Sequence, residues 1–87
     1  MASALLARLA DRLPASSREQ LATYDSVGEV GLLVNLLTAV LVRRSIPVSP
    51  TERDALRALL GSFGPDLPVH YRYINDRDAS LAALTIA

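Results

Sequence analysis

Eighty-seven residues suffice for one small domain, near the lower limit of what folds on a single core. Nine arginines, no lysine and nine acidic residues leave a net charge of zero, without the basic excess that a nucleic-acid binder uses to neutralise phosphates. The absence of cysteine excludes a disulfide framework, a thiolate ligand and a thiol nucleophile and fits a reducing, cytoplasmic setting, while 51% apolar residues favour a packed core over disorder.

The first predicted element spans residues 3–13. Leu5, Leu6, Leu9 and Leu13 recur at helical offsets, Ser3 is placed to cap, and Pro14 stops the run. Arg8, Asp11 and Arg12 interrupt the apolar stretch that a secretory signal needs, so no leader is expected. A second, shorter helix opens at Ser16, where Ser16 and Glu19 have capping-box spacing, with Leu21 and Tyr24 facing inward. Asp25, Ser26 and Gly28 then punctuate the chain. Either Asp25 or Ser26 is placed to cap the next helix, with Glu29 in its first turn, where the helix dipole favours an acid.

That next helix, about 29–45, is the central element. Leu32, Leu33, Leu36, Leu37, Val40 and Leu41 form its main stripe, and Val30, Val34 and Val42 broaden it. No charge occurs from Val30 to Val42, but the run falls short of the roughly twenty residues of a membrane span and holds Asn35 and Thr38. No membrane association is expected. Arg43 and Arg44 suit the helix's negative end. Ile46-Pro47-Val48 must be extended. Ser49-Pro50-Thr51-Glu52 combines an N-cap, a proline at the first helical position and a completed capping box. Leu56, Leu59, Leu60 and Phe63 form the inner face of the helix that follows, which Gly61 or Gly64 ends. After Gly64 the texture changes: a Pro-rich loop, a weakly alternating Val69–Ile74 that suggests a short extended segment, a turn at residues 75–78, and a last short helix within residues 79–86 capped by Asp76 or Asp78.

Chemistry-bearing patterns are scarce. His70 is the sole histidine, so with no cysteine there is no zinc set, and no G-x-S-x-G elbow accompanies the serines. Asp76 and Asp78 lack a calcium-loop pattern, and Gly28-x-x-Gly31 lacks the Lys-Ser/Thr pair of a phosphate loop. No catalytic residue, metal site or cofactor is read here. Asp25-Ser26-Val27 before an apolar helix is similar to the Asp-Ser-Leu site of acyl carrier proteins, which implies a phosphopantetheine arm on Ser26. The short stretch before the serine and the helix lacking an acidic face beyond Glu29 depart from that pattern.

Gly28-Glu29-x-Gly31-Leu32, the apolar helix and Ile46-Pro47-Val48-Ser49-Pro50-Thr51-Glu52 together resemble the MafI family of bacterial immunity proteins, over about residues 21–63. The resemblance implies a small helical protein that neutralises a cognate polymorphic toxin, often a nuclease, by tight non-covalent binding. Family members often carry acidic and aromatic residues in the second half of the central helix, where this chain has Thr38-Ala39-Val40-Leu41-Val42-Arg43-Arg44. Candidate partner-binding residues are therefore Asp25 and Glu29 before the central helix and Tyr71, Arg72, Tyr73, Asp76 and Asp78 in the tail. The expected fold is all-α: one helical domain over 1–87, a small four-helix bundle around the central helix, with an irregular C-terminal segment, 64–87, packed on it or partly mobile. A homo-oligomeric interaction module is the competing reading, a homodimer covering apolar sides of the central helix that a small bundle leaves open.

Overall fold

The computed structural model describes residues 2–87. Helix α1 (Ala2–Leu9) tightens into a 3-10 turn at Ala10–Arg12 and is followed by α2 (Ala15–Ser26), α3 (Val30–Arg43), α4 (Pro50–Gly61) and two short helices, α5 (Arg72–Asn75) and α6 (Arg77–Ala82). The chain is all-α: among the described residues the only β feature is an isolated parallel bridge between Val48 and Ile86. No helix among them is long and apolar enough to cross a membrane.

Helix α3 is the centre, and its composition explains why. Leu33, Val34, Leu37, Thr38, Ala39, Val40 and Leu41 are all buried, and the hydroxyl of Thr38, the buried polar residue among them, donates to the Val34 carbonyl at 2.8 Å. Leucines 5, 6, 9 and 13 come from the α1 side, Leu21 from α2, Leu56, Leu59 and Leu60 from α4, and Ile74 and Leu84 from the C-terminal segment, all in one cluster. The core-facing side of α3 is therefore covered by this chain itself, while Leu32, Leu36 and Val42 are half-buried and Val30 is 49% exposed.

Several local expectations are corrected. Ser3 lies inside α1 and its hydroxyl donates to the Asp25 carboxylate at the end of α2. Helix α2 starts at Ala15 without a side-chain cap, so Ser16 and Glu19 do not form a capping box. Asp25 and Ser26 close α2 instead of capping α3, and the Ser26 hydroxyl turns back to the Thr23 carbonyl at 2.8 Å. The reason is Gly28, whose φ of +75° reverses the chain. The Gly28 N–H donates to the Asp25 carbonyl and the Glu29 N–H to the Tyr24 carbonyl, the paired bonds of a Schellman motif. Glu29 then occupies the N-cap of α3 without a capping hydrogen bond. The far end of α3 repeats the device. It stops at Arg43, two residues short of the expected end, with Ser45 N–H donating to Val42 and Ile46 N–H to Leu41. Ser45 takes φ +50°, a conformation that ordinarily favours glycine.

The expected box at α4 is present in full. Ser49 Oγ accepts from the Glu52 N–H, and Glu52 Oε1 accepts from the Ser49 N–H. Glu52 does more than cap. Only 2% exposed, it receives Arg8 Nε at 2.9 Å and both terminal nitrogens of Arg12 at 2.6 and 3.0 Å. One carboxylate thus ties the first segment to α4, and Arg12 also reaches the Pro47 carbonyl of the linker.

Residues 64–87 are neither irregular throughout nor detached. Val69–Ile74 is not extended: Arg72–Asn75 forms one helical turn with Ile74 fully buried. The last helix starts earlier than expected, at Arg77, and neither Asp76 nor Asp78 caps it with a side-chain bond. Arg77 spans this segment and α4, donating to the carbonyls of Leu60, Phe63, Gly64 and Ile74. The chain then runs beside Val48, whose N–H donates to Thr85 and whose carbonyl accepts from Ala87.

Candidate functional site

The surface that carries the aromatic candidates of the tail is built on one face of α3. Asn35, an amide in an otherwise apolar helix, organises it. Its Oδ1 accepts from the backbone N–H groups of Tyr73 and Ile74 at 2.9 and 3.3 Å, and its Nδ2 donates to the His70 carbonyl at 3.2 Å. The first turn of a helix leaves N–H groups without intrahelical partners, and here a neighbouring helix satisfies two of them. Residues 70–74 are thereby pinned along α3.

Pinning sets the position of three side chains. Tyr71 lies over Gly31, where an added Cβ would stand 3.1 Å from the ring, so the absence of a side chain at position 31 is what admits the tyrosine. The His70 ring leans on Tyr71 with centroids 4.3 Å apart. Tyr73 points toward the far end of α3, where its hydroxyl accepts from Arg43 Nε at 2.9 Å. The guanidinium carbons of Arg43 and Arg72 stand 5.6 and 5.9 Å from the Tyr73 ring centroid, both within cation–π range. Tyr24, Leu32, Leu36, Ala39 and Val69 complete a groove of about 380 Å³ with these residues.

The seven candidate residues fall into three places. Tyr71, Arg72 and Tyr73 lie on this face, Arg72 and Tyr73 lining the groove and Tyr71 half-buried beside it. Asp25 and Glu29 flank the α2–α3 turn, exposed beside Val27 and Val30, which are 64% and 49% exposed. A separate cavity of about 240 Å³ there is lined by Ser3, Tyr24, Asp25, Gly28 and Val30 among others. Tyr24 borders both that cavity and the groove. Asp76 and Asp78 line neither of these, although Asp76 shares a smaller cleft of about 130 Å³ with Arg72, Tyr73 and Val42. Asp76 sits between α5 and α6, lining a cavity with Phe63, Pro65 and Arg77, and Asp78 is exposed in the first turn of α6.

Residues that the sequence reading passed over are Asn35, Arg43, Val69 and His70. Asn35 carried a signal, as a polar residue inside an apolar helix. Arg43 did not, because a basic residue at a helix end is accounted for by the dipole alone. Glu52 was read only as a cap. The Arg12 hydrogen bonds, with help from the Ser49 N–H and Arg8, hold its carboxyl at about 2 against the opposing effect of burial. Among the described residues no group of three His, Cys, Asp or Glu side chains is placed to hold a metal ion. No family model, curated protein or solved structure matches this chain.

Proposed function

We propose that this chain is a cytoplasmic immunity protein of the MafI kind, a small helical bundle extended by two short helices that binds and neutralises a cognate polymorphic bacterial toxin. The partner class comes from the resemblance over residues 21–63. The observation that carries the binding role is the face of α3 on which Arg43, Arg72 and Tyr73 converge above a partly apolar groove. Arginine and tyrosine are the residues on which binding energy concentrates, because they combine apolar area with several directed hydrogen bonds. Here Asn35 fixes the backbone that carries Arg72 and Tyr73, and the Tyr73 hydroxyl holds Arg43, which limits the ordering that association must pay for. The acidic pair Asp25 and Glu29 is exposed at the α2–α3 turn, where Tyr24 borders both the Asp25 cavity and the groove, and suits a toxin with a basic rim.

The test is co-expression with the toxic domain encoded by the neighbouring reading frame. Cells making this chain should survive and the two proteins should co-purify. Continued killing at full expression of the chain overturns the reading.

A further inference from the structure

The α3–α5 groove has a chemistry of its own. Among the described residues the carboxylates that meet an arginine are Glu52 and Asp54, and neither Arg43 nor Arg72 has an acidic partner. Arg43 uses Nε on the Tyr73 hydroxyl, which leaves both its terminal nitrogens as donors. Among the described residues the Arg72 side chain makes no hydrogen bond, and the Tyr73 hydroxyl, accepting from Arg43, keeps its own proton to give. Two cations and a hydroxyl donor thus surround one aromatic ring. The other wall is apolar, formed by Leu32, Leu36, Ala39 and a Val69 that is 87% exposed. A guanidinium binds a carboxylate through two parallel bonds, and the apolar wall accepts a side chain.

We propose that this groove receives an acidic-apolar segment of a protein partner, a carboxylate seated between Arg43 and Arg72 with an adjacent leucine or aromatic side chain against Leu32 and Leu36. The proposal rests on the immunity reading for the partner's identity and specifies which part of the toxin the chain holds: an acidic loop, docked beside the basic rim that Asp25 and Glu29 suit. A nucleic acid is disfavoured. Two arginines on a neutral chain release few counterions, and the apolar wall offers a phosphate backbone nothing.

The probe is the blocked tetrapeptide acetyl-Glu-Leu-Phe-Asp-amide, titrated into the 15N-labelled full chain and followed by amide and arginine Nε–H resonances. Its charge-reversed partner, acetyl-Lys-Leu-Phe-Lys-amide, and an oligothymidylate are titrated in parallel. The acidic peptide should shift Asn35, Arg43, Arg72 and Tyr73, and Arg43→Gln together with Arg72→Gln should weaken it at least fivefold. Because Arg43 also holds Tyr73, Arg72→Gln alone is a second variant and should weaken binding at least twofold with the far-UV dichroism and thermal midpoint of the free protein unchanged. No shift at these residues, equal shifts with the basic peptide, or tighter binding of the oligonucleotide overturns the proposal. Peptide binding supports the groove whether or not the chain protects cells. Protection by wild type and double variant alike, with no peptide binding, overturns the groove and leaves the immunity reading standing.

Discussion

At the scale of single residues, Glu52 and Gly31 are where chemistry most constrains the chain. Glu52 is almost fully buried, yet its two arginine partners keep 58% and 40% of their side chains in solvent. Its carboxyl is lowered from 4.5 to about 2, so its stabilisation is complete above the unfolded value and is lost as pH falls through the folded one. Glu52→Gln should therefore cost about 1–3 kcal/mol near neutrality, the guanidiniums' exposure keeping it below what a fully buried pair would show. In chemical denaturation, the gap between variant and wild type should close between about pH 4.5 and 2. A gap constant across that window would contradict the assignment. Gly31 is constrained by space. Gly31→Val places branched carbons against the Tyr71 ring and should destabilise by about 1–3 kcal/mol, read as a lower denaturation midpoint together with altered tyrosine near-UV dichroism.

At the scale of elements, the helix ends decide the topology, and they show what the sequence reveals. Ser49-Pro50-Thr51-Glu52 is legible because every part of the box lies within four residues. The α2–α3 turn is not. Asp25 and Ser26 suit the start of a helix, Gly28 suits the end of one, and local preference does not say which signal wins; two Schellman bonds decide for Gly28. The C-terminal end of α3 carries the same motif without a glycine to announce it. Ser45→Gly relieves the positive φ and should stabilise by up to about 1 kcal/mol, seen as a raised thermal midpoint; a lowered midpoint would mean the Ser45 side chain contributes more than its strain. Arg77 is hidden for a different reason. It closes α4 at the Leu60 carbonyl from 17 residues further along the chain, a relation no helix-end pattern records. Residues 70–74 alternate like a strand, but their conformation is set by Asn35, 35 or more residues earlier. The candidate surface was half legible on the same grounds: Arg72 and Tyr73 stand out by type, whereas Arg43 and Asn35 acquire their roles only when the tail folds onto α3.

At the scale of the whole molecule, the C-terminal segment shares the core of the helices before it. Ile74 and Leu84 belong to the same buried cluster as Leu33 and Leu60, and the radius of gyration of 11.7 Å matches the roughly 12 Å of a compact chain this long. Thermal unfolding should accordingly be a single transition. Near-UV dichroism, to which Tyr71 and Tyr73 of the tail contribute, should coincide with far-UV dichroism of the helices. Ile74→Ala should lower both midpoints together by the equivalent of about 2–4 kcal/mol. Loss of the near-UV signal at a lower temperature than the helices would show a tail that melts alone.

The Glu52 cluster also settles a question of alignment. Leu5, Leu9 and Leu13 are spaced by four, so sliding the first segment one helical turn along its neighbours would still set leucine in two of its buried leucine positions. Arg8 and Arg12 share that spacing, but no arginine extends the series: a slide in either direction sets Ala4 or Ser16 where one of them should be. The displaced packing would leave a buried carboxylate with one cation in place of two. A repetitive leucine face that oil-like contact would let slip is thus held in a single frame by charge, in the way a lone polar position fixes the register of a coiled coil.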